Sequence, residues 1–232
     1  MSSAVRSPFY LLTALFVAVM VLGGFTRTYY LREFFDRPPL TLLLHLHALA
    51  FTAWIALLII QIRLVAARRL DLHRRLGVAG AMIAVVMVAT AGASIVEAMR
   101  GGRVIVGMPA WQFVALSTVS ISLFAVFVAA ALVLRRRPDW HKRLIIVATL
   151  GIMGPGVGRL LVWIFGPAGG AYANLVLFMA LVWCLAYDWF RHRQVHPAFV
   201  VGTVVLMAAI PLKQLLAHSK LWADFAARII AG

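Results

Sequence analysis

Acidic residues are scarce in this chain: Asp and Glu number seven, against 22 Lys and Arg, and the formal charge is +15. Cysteine is scarcer still. The single Cys184 excludes an internal disulfide, and no C-x-x-C-H haem-attachment motif exists. The glycine-rich "GPGVG" at 154–158 lacks the Lys-Ser/Thr that a phosphate-binding loop requires. No G-x-S-x-G or H-E-x-x-H occurs, and no lysine lies mid-span in the last apolar segment to carry a retinal Schiff base. Nor does any run alternate apolar and polar residues as a half-buried strand does.

What remains is grease. The chain is 64% hydrophobic with mean hydropathy +0.97, whereas a soluble domain holds about 45–50% apolar residues. Crossing the hydrocarbon takes about 20 apolar residues per helix, and seven segments qualify: 8–25, 40–62, 76–98, 111–134, 144–166, 171–189 and 197–212. Breaks such as "DRPP", "RGGR" and "GPAGG" separate them. An open sheet cannot sit in lipid. The expectation is therefore an all-α, polytopic bundle of about seven transmembrane helices, with the lipid bilayer as its first partner. The first segment lacks an A-x-A-like cleavage site and reads as a retained helix, not a signal peptide. Residues 213–232 alternate Leu215, Trp222, Phe225 and Ile229 with Lys213, Lys220, Asp224 and Arg228. That pattern predicts an amphipathic tail helix on the outer surface, or packed on a partner.

The basic residues cluster at segment ends, which fits membrane topology and headgroups and not nucleic acid. Arg6, Arg63, Arg68, Arg69, Arg74, Arg75, Arg135–Arg137, Lys142, Arg143, Arg191 and Arg193 fall on one side. The smaller set of Arg27, Arg32, Arg37, Arg100, Arg103, Lys213, Lys220 and Arg228 falls on the other. The positive-inside rule then predicts a cytoplasmic N-terminus and an outer, periplasmic C-terminus.

Two stretches repeat one phrase. "RRLDLHRRL" (68–76) and "RRRPDWHKRL" (135–144) align with His73 on His141, and both read Arg-Arg-x-Asp-x-His-(Arg/Lys)-Arg-Leu. Each precedes an apolar run, so the segments two–three and four–five read as a parallel internal repeat. In the plainest reading the arginines anchor the loops and Asp71 and Asp139 cap the helices that follow. An anchor has no need of histidine, however. A His ringed by Arg at the mouth of a span also suits a b-type haem with its propionates, or another metal.

Ionisable groups inside spans are functional candidates by default. His45 and His47 in "LLLHLHALAFTAW" lie early in segment two and point about 200° apart on a helix, so they face different neighbours. "GIMGPGVGRLLVW" loosens segment five with Gly151, Gly154, Pro155, Gly156 and Gly158 just before Arg159. Arg159 reaches about the depth of the two histidines, and Glu97 is near enough to the same end to pair with it. On the other side, His192 and His196 have the i, i+4 spacing of a metal pair if the helix continues, which Pro197 argues against.

The string "LHLHALAFTAW…LDLHRRLGVAGA…HKRLIIVATL…GR" resembles a family of uncharacterised bacterial multi-pass inner-membrane proteins, over most of the chain. That resemblance implies the fold and a bacterial inner-membrane location, and no chemistry. "LHRxLG" also resembles, more loosely, the starts of helices that hold b haem in membrane haem proteins. Three functions are consistent with these features. The first is a haem- or metal-associated redox protein using His45 or His47, with His73, His141 and Arg159. The second is a non-catalytic subunit or assembly factor docking through its tail and basic loops. The third is a small-solute or proton carrier built on segment five, Arg159 and Glu97.

Overall fold

The computed structural model describes residues 8–37, 39–101, 104, 105 and 108–231. Arg6 and Arg103, which enter the charge asymmetry, lie outside the described residues, as do Pro38 of "DRPP" and Gly102 of "RGGR". The chain is a multi-pass helical bundle. Helix α1 (Phe9–Phe25) runs on into a π turn (Thr26–Tyr30) and a 3-10 turn (Arg32–Phe35). Then come α2 (Leu42–Ala66), α3 (Leu70–Arg100), α4 (Ala110–Val133), α5 (Pro138–Ile152) and α6 (Gly154–Phe165). A 3-10 turn (Pro167–Tyr172) leads to α7 (Ala173–His192), α8 (Pro197–Ala217) and α9 (Lys220–Ala231). Two residue pairs, β1 (Val104–Ile105) and β2 (Met108–Pro109), form an antiparallel hairpin between α3 and α4. One end of the bundle carries the two repeated phrases and is called the basic-loop face; the other is the hairpin face.

Six helical stretches are long and apolar enough to cross a membrane, and α5 with α6 makes a seventh, bent by 46°. Segment five is thus two helices and not the single span 144–166. Met153 is the joint: its φ and ψ stay helical, but Pro155 follows at the start of α6 and supplies no N–H to α5. Several hydroxyls within the spans bond back inside their own helices. Thr13 Oγ1 bonds Phe9 O at 2.9 Å, Thr52 bonds Ala48 O at 2.7 Å and Thr149 bonds Ile145 O at 2.8 Å. Lipid offers no alternative partner.

The two copies of the phrase start their helices in the same register. Arg69 and Arg137, aligned in the two phrases, occupy the N-cap position of α3 and α5. His73 N–H bonds Arg69 O at 3.1 Å and His141 N–H bonds Arg137 O at 3.0 Å. The helices therefore begin at Leu70 and Pro138, earlier than the expected 76 and 144. Asp71 and Asp139 are correspondingly not the N-caps; they sit in the first turn, where a carboxylate complements the helix dipole. The copies diverge beyond this: α3 runs unbroken to Arg100, whereas α5 stops at Ile152.

Two more boundaries shift. Helix α8 continues through Pro211 to Ala217, so the tail helix proper starts at Lys220 and not at 213. It packs on the bundle through Trp222 and Ala226, with Ile229 beside them, against Met99, Val114 and Ala115. Trp222 Nε1 donates to Trp111 O at 2.6 Å. Leu215 and Phe225, expected on that same apolar face, are exposed instead. Leu215 belongs to α8, and Phe225 lies to the side of the Trp222–Ala226 stripe.

Core packing relies on small residues where helices touch. A Cβ on Gly24 of α1 would overlap Gly156 O of α6, and one on Gly156 would stand 2.8 Å from Val21 Cα. Both neighbours are backbone and cannot swing aside. Between α2 and α5, Trp54 Nε1 donates to Thr149 Oγ1 at 3.2 Å, and the Trp54 ring meets Phe124 edge-on. Gly156→Ala should push α1 off α6 and cost about 1–3 kcal/mol, the range for overpacking a fitted interface. Gly154→Ala, with nothing within 4 Å, should be neutral. Thermal unfolding of both variants in detergent checks the contrast.

Candidate functional site

The two histidines of the repeated phrase come together. Fourth in their respective helices, His73 and His141 stand with ring centres 6.4 Å apart and planes at 87°. His141 Nδ1 lies 2.8 Å from Ala131 O on α4, which fixes its ring and leaves Nε2 as the free nitrogen. His73 Nδ1 is buried with no hydrogen-bond partner, and Gln61 of α2 donates to the His73 carbonyl at 3.2 Å. Arg74, Arg75 and Arg135–Arg137, close to the pair in sequence, are exposed. A histidine oriented through one nitrogen by a carbonyl, with the other free, is the arrangement metal ligands adopt.

Beside this pair, Arg143 is clamped by Asp188. Arg143 Nη2 donates to Asp188 Oδ1 at 2.6 Å and Nε donates to Oδ2 at 2.9 Å, a two-pronged contact in which both side chains are buried. Nη1 turns back to Asp139 O at 3.0 Å. Asp188 Oδ2 also accepts the His196 N–H at 3.0 Å. One carboxylate therefore ties α5, α7 and the start of α8. The α7 helix ends at His192, with Arg193 left-handed at φ 56°, and His196 belongs to the next helix. There its Nδ1 accepts the Ala198 N–H at 3.1 Å as a cap. The i, i+4 pair of His192 and His196 is therefore not formed, because the helix does not continue between them.

Toward the hairpin face the expected cluster divides. His45 is exposed, next to Tyr29 with ring centres 5.7 Å apart, at an open cavity of about 330 Å³ also lined by Arg32 and Glu33. His47 points the other way, against Phe51 at 4.4 Å, with its Nδ1 buried and unpartnered. Arg159 is close enough to act electrostatically on His47. Glu97 does not pair with Arg159: Thr41 Oγ1 donates to both its carboxylate oxygens, at 3.0 and 3.1 Å, tying the start of α2 to the end of α3. Arg159 instead packs on aromatic faces, with its guanidinium carbon 4.7 Å from the Phe25 ring centre and 5.7 Å from that of Phe113.

Among the described residues, no group of three His, Cys, Asp or Glu side chains converges as a protein-only metal site would. No family model, curated protein or solved structure matches the chain.

Sequence reasoning found both histidines of the pair but not the Arg143–Asp188 clamp. Arg143 aligns with Arg75 of the first phrase, which is exposed, and nothing local separates the two. The signal was Asp188, one of very few acids, at the end of an apolar segment. Removing one partner of a buried ion pair costs about 3–5 kcal/mol, because the other charge is left alone. Asp188→Asn should destabilise by that order, and Arg143→Met with Asp188→Leu by less than either single change, read as detergent unfolding midpoints. His196, outside the spans, is held below the usual imidazole range, first by burial and then by the Arg143 and Lys142 charges, while Asp188 and Asp139 oppose the shift. Folding thus favours the neutral ring, a contribution complete above about pH 6.5 and lost as pH falls below it. Between about pH 7 and 5, the wild-type midpoint should fall more than that of His196→Asn, whose amide caps without titrating.

Proposed function

We propose that this protein is a redox membrane protein that carries a haem or similar metal centre on His73 and His141. The observation behind this reading is their convergence: two copies of one phrase, far apart in sequence, bring two imidazoles to 6.4 Å. Metal–imidazole bonds of about 2.0–2.1 Å put the ring centres of two ligands on one ion about 5–6.5 Å apart. The unpartnered His73 Nδ1 is a buried polar atom that ligation or ring rotation toward a metal would satisfy. With only two protein donors, the pair suits a group that brings its own remaining ligands, as a porphyrin does. Such a group would supply one-electron chemistry. The chain's own part is to fix the His141 ring through Ala131 O, to exclude water, and to offer Arg74, Arg75 and Arg135–Arg137 to acidic substituents.

The charge asymmetry favours the basic-loop face as cytoplasmic, and the resemblance to bacterial inner-membrane proteins supports the same compartment. His45 and His47 are then not ligands of this centre, since they lie at the other face.

An ultraviolet–visible spectrum of the detergent-purified protein, oxidised and dithionite-reduced, tests the proposal, with metal analysis on the same sample. A stoichiometric b-type spectrum is expected. His73→Ala and His141→Ala should each abolish or shift it, while His45→Ala leaves it intact. A colourless, metal-free protein from haem-replete cells would contradict the reading.

A further inference from the structure

At the hairpin-face end of α1 and α6, two guanidinium groups stand in a crossed arrangement that neither the fold nor the proposed redox centre explains. Arg27 lies over the Trp163 ring of α6 at 4.1 Å and 5.0 Å from Phe35. Arg159 of α6 lies over Phe25 of α1. The Gly24–Gly156 contact brings the two helices close enough for this exchange. Arg159 donates one hydrogen bond within the chain, Nη1 to Pro155 O at 3.0 Å. Arg27 Nε is buried with no acceptor, and His47 Nδ1 of α2 is in the same condition. Both arginines are half-buried as whole residues.

Neither arginine has an ion-pair partner among the described residues. The three ion pairs among the described residues all involve Asp139 or Asp188 at the opposite face. Of the acids of this half, Glu97 is engaged by Thr41, while Glu33, Asp36 and Asp224 are exposed and enter no ion pair among the described residues. Aromatic faces attract a cation but accept few N–H bonds, and arginine does not escape by losing its proton. A charged group toward the membrane interior is costly unless paired. Next to the seam, Leu22, Gly23, Thr26, Tyr30 and Leu31 line an open groove of about 330 Å³, mostly apolar. Leu160 of α6 lies against Gly23.

We propose that this seam is an oxyanion-binding site, in which a phosphate or carboxylate group is held by Arg159 with Arg27 and His47 adjoining. The guanidinium fork matches the paired oxygens of either group. The apolar groove beside it fits an attached hydrocarbon tail, so the oxyanion comes either from an amphiphile's headgroup or from a free anion. This site is independent of the metal centre, and its test needs no cofactor signal.

The test is the thermal unfolding midpoint of the full chain in nonionic detergent. Inorganic phosphate is titrated against chloride at constant ionic strength in one arm, and phosphatidylglycerol against phosphatidylcholine in the other. The midpoint should rise in at least one arm. Phosphate sufficing alone identifies a free oxyanion; a response to phosphatidylglycerol only identifies a lipid headgroup. Apparent affinity should fall at least tenfold in Arg159→Gln and in Arg27→Gln and be unchanged in Lys220→Gln, an exposed cation of α9. If Arg159→Gln does not elute as a folded monodisperse protein, Arg159→Lys, which keeps the charge and loses the fork, and Arg27→Gln carry the comparison. No response in either arm, or a response of equal affinity in the arginine variants, would overturn the proposal.

Discussion

A polar group kept within the apolar helices of this chain is costly unless it finds a partner there, because hydrocarbon supplies none. That constraint organises the bundle. The Thr13, Thr52 and Thr149 hydroxyls bond back one turn, Trp54 reaches Thr149 across a helix interface, and Asp188 serves Arg143 and the His196 amide together. The clamp holds the ends of α5, α7 and α8 at the basic-loop face. By fixing the first turns of α5, it also fixes the register of His141 two residues earlier.

Within so strict an arrangement, the groups without partners stand out. At the basic-loop face one of them is His73 Nδ1, beside a second imidazole. At the hairpin face Arg27 Nε and His47 Nδ1 are two more. The two ends thus differ in what they lack. One offers imidazole nitrogens in an environment of exposed cations; the other offers guanidinium N–H donors among aromatic rings. A metal centre and an oxyanion are the chemical complements of those two deficits.

The sequence made the architecture legible because lipid imposes a length and a composition on each span. Seven segments became six spanning helices and a broken seventh, with ends displaced by a few residues. The errors have local causes. The helices of the repeated phrase begin before their apolar run, since Leu70 and Pro138 already have helical partners, so Asp71 and Asp139 moved from cap to first turn. The Gly-Pro run of segment five was visible, and its outcome, a 46° bend between two helices, matches the missing donor at Pro155. Contacts between distant residues were the hidden part. Nothing in the sequence distinguishes Arg143 from Arg75, or assigns Glu97 to Thr41 in place of Arg159, because those choices depend on which helices become neighbours. The histidine pair was half legible. Its two members were marked by repetition, but their approach is a property of the packed bundle.

The central claim is that His73 and His141 ligate one centre. Pulsed electron paramagnetic resonance of the oxidised protein, labelled with ¹⁵N-histidine, addresses it most directly. The account predicts hyperfine coupling from two histidine nitrogens on one paramagnetic ion, reduced to one in His73→Ala. A paramagnetic centre with no histidine coupling, or with coupling untouched by that substitution, would contradict it.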